Sequence, residues 1–167
     1  MFEAPILDPM RFAALGEVVE GHGFPGDLER LKEVLHSSEG EFHYRLVGGK
    51  TPDGLPMVTV HLDGRVVLIC RRCLEGVAFD LEINERIVMV KDEASLPELE
   101  DEAAGIDVIV QPERLDVAAL VEDEILLSLP LAPSHAEGVC GTGKEAVQQK
   151  RENPFAALAK LKPTSSI

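Results

Sequence analysis

The sequence predicts an α+β fold: a central antiparallel β-meander flanked by N-terminal and C-terminal helices, with a flexible C-terminal tail. Three observations predict it. Apolar residues recur at helical spacing near the start and again over residues 115–130, whereas between 41 and 90 they recur at every second position. At 167 residues the chain has the size of one domain with an appendage. Hydrophobic residues make up 45% and aromatics only 4%, with Trp absent, so the core is expected to be aliphatic.

Each element has its own signal. Asp8-Pro9 opens a first helix, with Asp as the cap and Pro pre-set for the first helical position. Phe12, Leu15, Val18 and Val19 carry that helix to the Gly21-His22-Gly23 break. A second helix fits GDLERLKEVLH, where Leu28, Leu31, Val34 and Leu35 form one stripe. EFHYRLV then alternates, with Phe42, Tyr44 and Leu46 on one face, and GGK at 48–50 reads as part of a turn. MVTVHLDGRVVLIC supplies one or two strands, Asp63-Gly64 being a candidate turn or bulge. VAFDLEINERIVMV continues with Val77, Phe79, Leu81 and Ile83 at alternate positions. The acidic stretch 92–105 reads as a surface loop, IDVIV as a strand, and LDVAALVEDEILLSLP as a helix ended by Pro130. Asn153-Pro154 opens a last short helix near 154–161.

Charge divides the chain into an acidic body, 1–140, and a basic tail, 141–167. The net charge is −14. Residues 92–124 hold twelve acids against the single base Arg114, while the tail holds five bases and two acids. Such a body repels phosphate backbones, which argues against an RNA-coating surface and favours a basic protein partner. No run approaches the roughly 20 apolar residues that span a bilayer. MFEAPILDPMRF lacks the basic and apolar regions of a secretory leader. With three cysteines, two of them spaced C-x-x-C, a reducing cytoplasm is the expected location.

Cys70 and Cys73 form that pair, and three readings compete. A thioredoxin-like redox motif needs a strand-to-helix junction, where a helix N-terminus lowers the thiol pKa, but strand pattern lies on both sides here. A zinc site needs two more ligands, and His135 and Cys140 supply suitable chemistry after the Pro130 break. The third reading is a hairpin with incidental thiols. His43 and His61 alternate within strand patterns, and His22 and His36 sit at expected helix ends. No serine–histidine–aspartate arrangement, phosphate-cradling loop or H-E-x-x-H is present, so no catalytic residues are expected. Arg71 and Arg72 lie inside the C-x-x-C turn, where they can meet RNA phosphates, a carboxylate cluster, or the acidic body of their own chain.

LICRRCLEGV between strands, then LVEDEILLSLPLAPSH, a Cys shortly after, and a closing NPFAALAKLK together resemble the YceD family, the large ribosomal RNA subunit accumulation proteins. The resemblance runs from about residue 7 to 162 and is most specific over Glu122 to His135 and Asn153 to Lys162. It implies a non-enzymatic cytoplasmic factor needed for accumulation or processing of large-subunit (23S) ribosomal RNA, with no small-molecule substrate and no membrane. It also implies a basic large-subunit ribosomal protein or assembly factor as partner. Together with the charge map, this makes Glu122, Asp123 and Glu124 candidate partner contacts, alongside the acids of 98–102. Arg71, Arg72, Lys160 and Lys162 are the candidate RNA contacts.

Overall fold

The computed structural model describes residues 2–96 and 106–140. In chain order its elements are β1 (Ile6–Leu7), α1 (Pro9–Leu15), β2 (Val18–Gly23), two 3-10 turns at Pro25–Asp27 and Leu31–Glu33, and β3 (Leu35–Ser37). β4 (Phe42–Lys50), β5 (Pro56–Ile69) and β6 (Gly76–Val90) follow, then a 3-10 turn at Glu93–Ser95, β7 (Asp107–Val110), β8 (Leu115–Asp116) and α2 (Val117–Ser128). The main sheet runs β2-β4-β5-β6-β7, and β3 pairs with β5 beside the end of β4. Its pairs are antiparallel except β6 with β7, which is parallel. β1 and β8 pair separately and tie the N-terminal segment to the start of α2. The α+β class and the antiparallel meander, β4-β5-β6, are those read from the sequence.

One face of the sheet is the core. Phe42, Tyr44 and Leu46 of β4, Val58, Val60, Leu62, Val66 and Leu68 of β5, and Leu81, Ile83, Ile87 and Met89 of β6 meet Phe12 of α1 and Val117, Val121 and Ile125 of α2. Burying each such side chain contributes about 1.5–3 kcal/mol. The opposite face carries His22, His43, Arg45, His61, Asp63 and Glu82, all exposed. Both helices start as their sequences dictate. Asp8 accepts from the Arg11 amide at 3.0 Å, and Asp116 accepts from the amides of Ala118 and Ala119 at 3.0 and 3.1 Å.

Four sequence expectations are corrected. The first helix stops at Leu15, because Gly16 takes a left-handed conformation (φ 62°) that closes the helix, and Val18 and Val19 enter β2 opposite Val47 and Leu46. The stripe in GDLERLKEVLH is real, since Leu28 and Leu31 are buried, but it belongs to two 3-10 turns and β3. The amides of Arg30 and Leu31 donate to the Glu122 carboxylate instead of continuing a helix, and Leu35 pairs with Leu68. His22 and His36 therefore lie in strands. Asp63-Gly64 is neither turn nor bulge: β5 runs straight through it, and a Cβ at Gly64 would stand 2.5 Å from the Glu41 carbonyl oxygen. Finally, GGK ends β4, and the turn follows, with the Thr51 amide donating to the Leu55 carbonyl. Most of the acidic stretch and the expected helix near 154–161 lie outside the described residues.

Candidate metal centre

The β5–β6 connection is a tight knuckle. Cys70, completely buried, follows directly on β5, and its amide donates to the Glu75 carbonyl at 2.9 Å. The Leu74 amide returns to the Cys70 carbonyl at 2.9 Å, and Leu74 itself takes a left-handed φ of 63° with its side chain 71% exposed. That conformation is costly for a branched residue and marks a turn held by something stronger than its own preferences. Three backbone amides reach the Cys70 sulfur, those of Cys73, Arg72 and His135. The Cys73 amide is the main reason the thiol is pulled down to about 5. Burial pushes the other way, and the amides of Arg72 and His135 and the Cys140 thiol assist the lowering. Burial raises the Cys140 thiol.

The other half of the centre follows α2. Pro130 cannot continue the helix, and the chain turns back along the outer end of β6, where Pro130, Ala132 and Pro133 line one groove with Val77 and Phe79. The Arg71 amide donates to the Pro133 carbonyl at 2.9 Å, and the Arg72 guanidinium donates to the carbonyls of His135 and Ala136. These bonds clamp the loop onto the knuckle and place His135. Its Nε2 lies 2.9 Å from the Gly76 carbonyl oxygen, an acceptor only, so Nε2 carries the proton and Nδ1 presents its lone pair. Nδ1 lies 3.4 Å from Cys73 Sγ and 3.6 Å from Cys140 Sγ, and Cys70 Sγ lies 3.6 Å from Cys140 Sγ.

Those distances fit a metal ion. The four donor atoms of Cys70, Cys73, His135 and Cys140 all lie within 4.8 Å of one another. A tetrahedral zinc with Zn–S of about 2.3 Å and Zn–N of about 2.0–2.1 Å has edges of about 3.8 Å between sulfurs and about 3.6 Å between sulfur and nitrogen. Histidine ligands characteristically donate their second ring N–H to a carbonyl, as His135 does to Gly76. Three thiols and one imidazole would fill a tetrahedron, which is the pattern of a structural site and leaves no position for substrate.

The remaining predicted contacts fall in different places. Arg71 and Arg72 are exposed beside the centre, but Arg72 is engaged in holding the loop. Arg65 pairs with Asp80 at 2.6 Å. The acidic triplet does not form one surface: only Asp123 is exposed, whereas Glu122 and Glu124 are 8% and 6% exposed. Glu122 accepts from the amides of Arg30 and Leu31 at 2.7 and 3.1 Å and from Arg30 Nε at 3.0 Å, while Arg30 Nη1 reaches Asp123 at 2.6 Å. Burial pushes the Glu122 carboxyl up, but the Leu31 amide and Arg30 outweigh it and hold it below the usual carboxylate range. Lys160 and Lys162 lie outside the described residues. Sequence reasoning missed Arg30, Gly76 and Leu74, whose roles depend on contacts between distant segments.

Fold and site together define a class: an α+β protein in which a Cys3His cluster fastens the tip of a long β-hairpin to the segment following the last described helix. The chain belongs to the YceD family, whose model, described as large ribosomal RNA subunit accumulation protein YceD, matches residues 58–162. That match covers the hairpin, α2 and all four cluster residues. The chain is 29% identical over 170 aligned positions to the large ribosomal RNA subunit accumulation protein YceD of Haemophilus influenzae, covering 93% of this chain and 94% of that relative. No solved structure matches the chain. Among the described residues no helix is long and apolar enough to cross a membrane.

Proposed function

We propose that the protein is a non-enzymatic ribosome biogenesis factor that supports accumulation of large-subunit (23S) ribosomal RNA in the cytoplasm. The observation that carries this reading is the family match, which spans both halves of the Cys3His centre. The centre has the closed donor set of a structural zinc site, so its role is to rigidify the hairpin tip. The acidic body holds a basic large-subunit ribosomal protein or assembly factor by charge complementarity. RNA contact is confined to a few basic residues, with exposed Arg71 on the knuckle as the described candidate.

Deletion of the gene tests the role directly: the ratio of 23S to 16S ribosomal RNA should fall and recover with the wild-type protein, and an unchanged ratio refutes it. Metal analysis tests the centre. The purified protein should carry about one equivalent of zinc, and both Cys73→Ser and His135→Ala should lose it. A thiol redox role is disfavoured by the strands on both sides of the pair and by the imidazole and third thiol that close around it.

A further inference from the structure

Glu122 and Glu124 flank the apolar stripe of α2, made by Val117, Val121 and Ile125, on its two sides. Glu122 has Arg30 and two backbone amides. Glu124, more than nine-tenths buried, has no hydrogen bond or ion pair among the described residues. Among the described residues its charged neighbours are acidic: Asp107, Glu85 and Asp123. The sheet explains two of them. Asp107 of β7 pairs in register with Ile87 of β6, a core-facing residue, and Glu85 lies two positions before Ile87 on the same face. Both therefore lie on the side of the sheet that α2 covers. A largely buried carboxylate facing two more, with no base among the described residues beside it, is costly unless a cation arrives.

The adjoining strand is equally unprotected. β7 pairs with β6 along one side, and its other side has no strand partner among the described residues. Ile109 and Val110 are 37% and 38% exposed, and the strand, DVIV, carries none of the lysines or prolines that usually guard an edge. We infer that Glu124, Glu85 and Asp107 form a receptor for a lysine or arginine side chain carried by an extended segment of a basic protein partner, which pairs with the free edge of β7. This rests on the reading of the acidic body as a holder of basic protein. A nucleic acid is the wrong sign for the notch. A small divalent ion fits poorly, because the Cys3His cluster is the one described set whose donor atoms already lie within 4.8 Å of one another. A guanidinium or ammonium on a long stem can reach separated carboxylates, and strand addition supplies the backbone bonds.

The test uses the full-length, metal-loaded protein and a fluorescent peptide of alternating lysine and valine, with a glutamate–valine peptide as control. The wild type should bind the lysine peptide alone, with amide shifts at residues 107–110. Glu124→Gln should weaken binding about thirtyfold while raising the melting temperature, because it removes an uncompensated buried charge. Asp107→Asn, at an exposed position, should weaken binding several-fold, whereas Glu39→Gln, toward the opposite end of the sheet, should leave it unchanged. Binding that falls with salt but is indifferent to Glu124→Gln overturns this inference and leaves the acidic-holder reading intact; no binding even at low salt overturns both. A thermal shift with magnesium or calcium alone that Glu124→Gln abolishes would make the notch an ion site instead.

Discussion

Among the described residues only one of the two buried glutamates of α2, Glu122, faces a base, so they respond oppositely to substitution. Glu122→Ala leaves the Arg30 and Leu31 amides without their acceptor, and should cost about 2–3 kcal/mol in urea unfolding. Glu124 has the reverse sign. Burial first, then Asp107, Glu85 and Asp123, raise its carboxyl from 4.5 to about 7. Between those two values the folded state holds a proton that the unfolded state has released. Stability from this group is therefore fully present below about pH 4.5 and lost as pH rises through 7. The loss is on the order of 3 kcal/mol, and Glu124→Gln should remove it. Unfolding midpoints at pH 5 and pH 8 should converge in that variant, and a pH dependence equal to the wild type would refute the assignment. The triplet Glu122-Asp123-Glu124 was legible as helix with a charged turn, but which acids turn inward depends on Arg30 and β7, both far away in sequence.

Among the elements, the β5–β6 hairpin and the segment 130–140 depend on one another. Leu74 holds a left-handed backbone at the knuckle, and the loop after Pro130 is fastened by the Arg72 guanidinium, the Arg71 amide and His135. Chelation should free this tip without melting the sheet, whose central residues Val60, Leu62 and Ile83 remain packed on α1 and α2. Amide exchange checks it: residues 70–76 and 133–140 should lose protection in the chelated protein while 58–64 and 81–85 keep theirs. Uniform loss across both regions would mean that the metal supports the whole fold. Leu74→Gly should stabilise the knuckle by about 1 kcal/mol, since glycine accepts positive φ without strain. The strands were readable because period-two burial is a local pattern, and Cys70 and Cys73 were readable from their spacing. The region 26–36 was not, because its leucine stripe suits a helix equally well. What decides against the helix is Glu122 capturing two amides from 91 and 92 residues away. His135 and Cys140, spaced too loosely to read as a knuckle of their own, come within reach of Cys70 and Cys73 only when Gly76 and Arg72 draw that loop back to the hairpin.

At the scale of the whole molecule, the net charge of −14 acts on folding and on association through one field. Self-repulsion among the acids opposes the compact state, and the same acids would attract the basic partner proposed above. Salt screens both, with a Debye length of about 10 Å at 0.1 M. Apart from the pairs Arg30 makes with Glu122 and Asp123, the arginine pairs described are too exposed to offset much of this: Arg65–Asp80, Arg45–Glu20 and Arg11–Glu17 all involve side chains at least 42% exposed. Raising sodium chloride from about 20 mM to 300 mM, which shortens the screening length well below the width of the molecule, should therefore move two observables in opposite directions. The melting temperature of the free protein should rise, while its capture of basic large-subunit ribosomal proteins in pull-downs should fall steeply. A direct RNA-binding role would give a different pair of results, with retention of 23S ribosomal RNA in the same pull-down after basic proteins have been stripped by salt. If capture of the basic protein is indifferent to salt, recognition is apolar and belongs to the exposed surface near Leu127 and Leu131, which are 77% and 100% exposed, not to the acidic body.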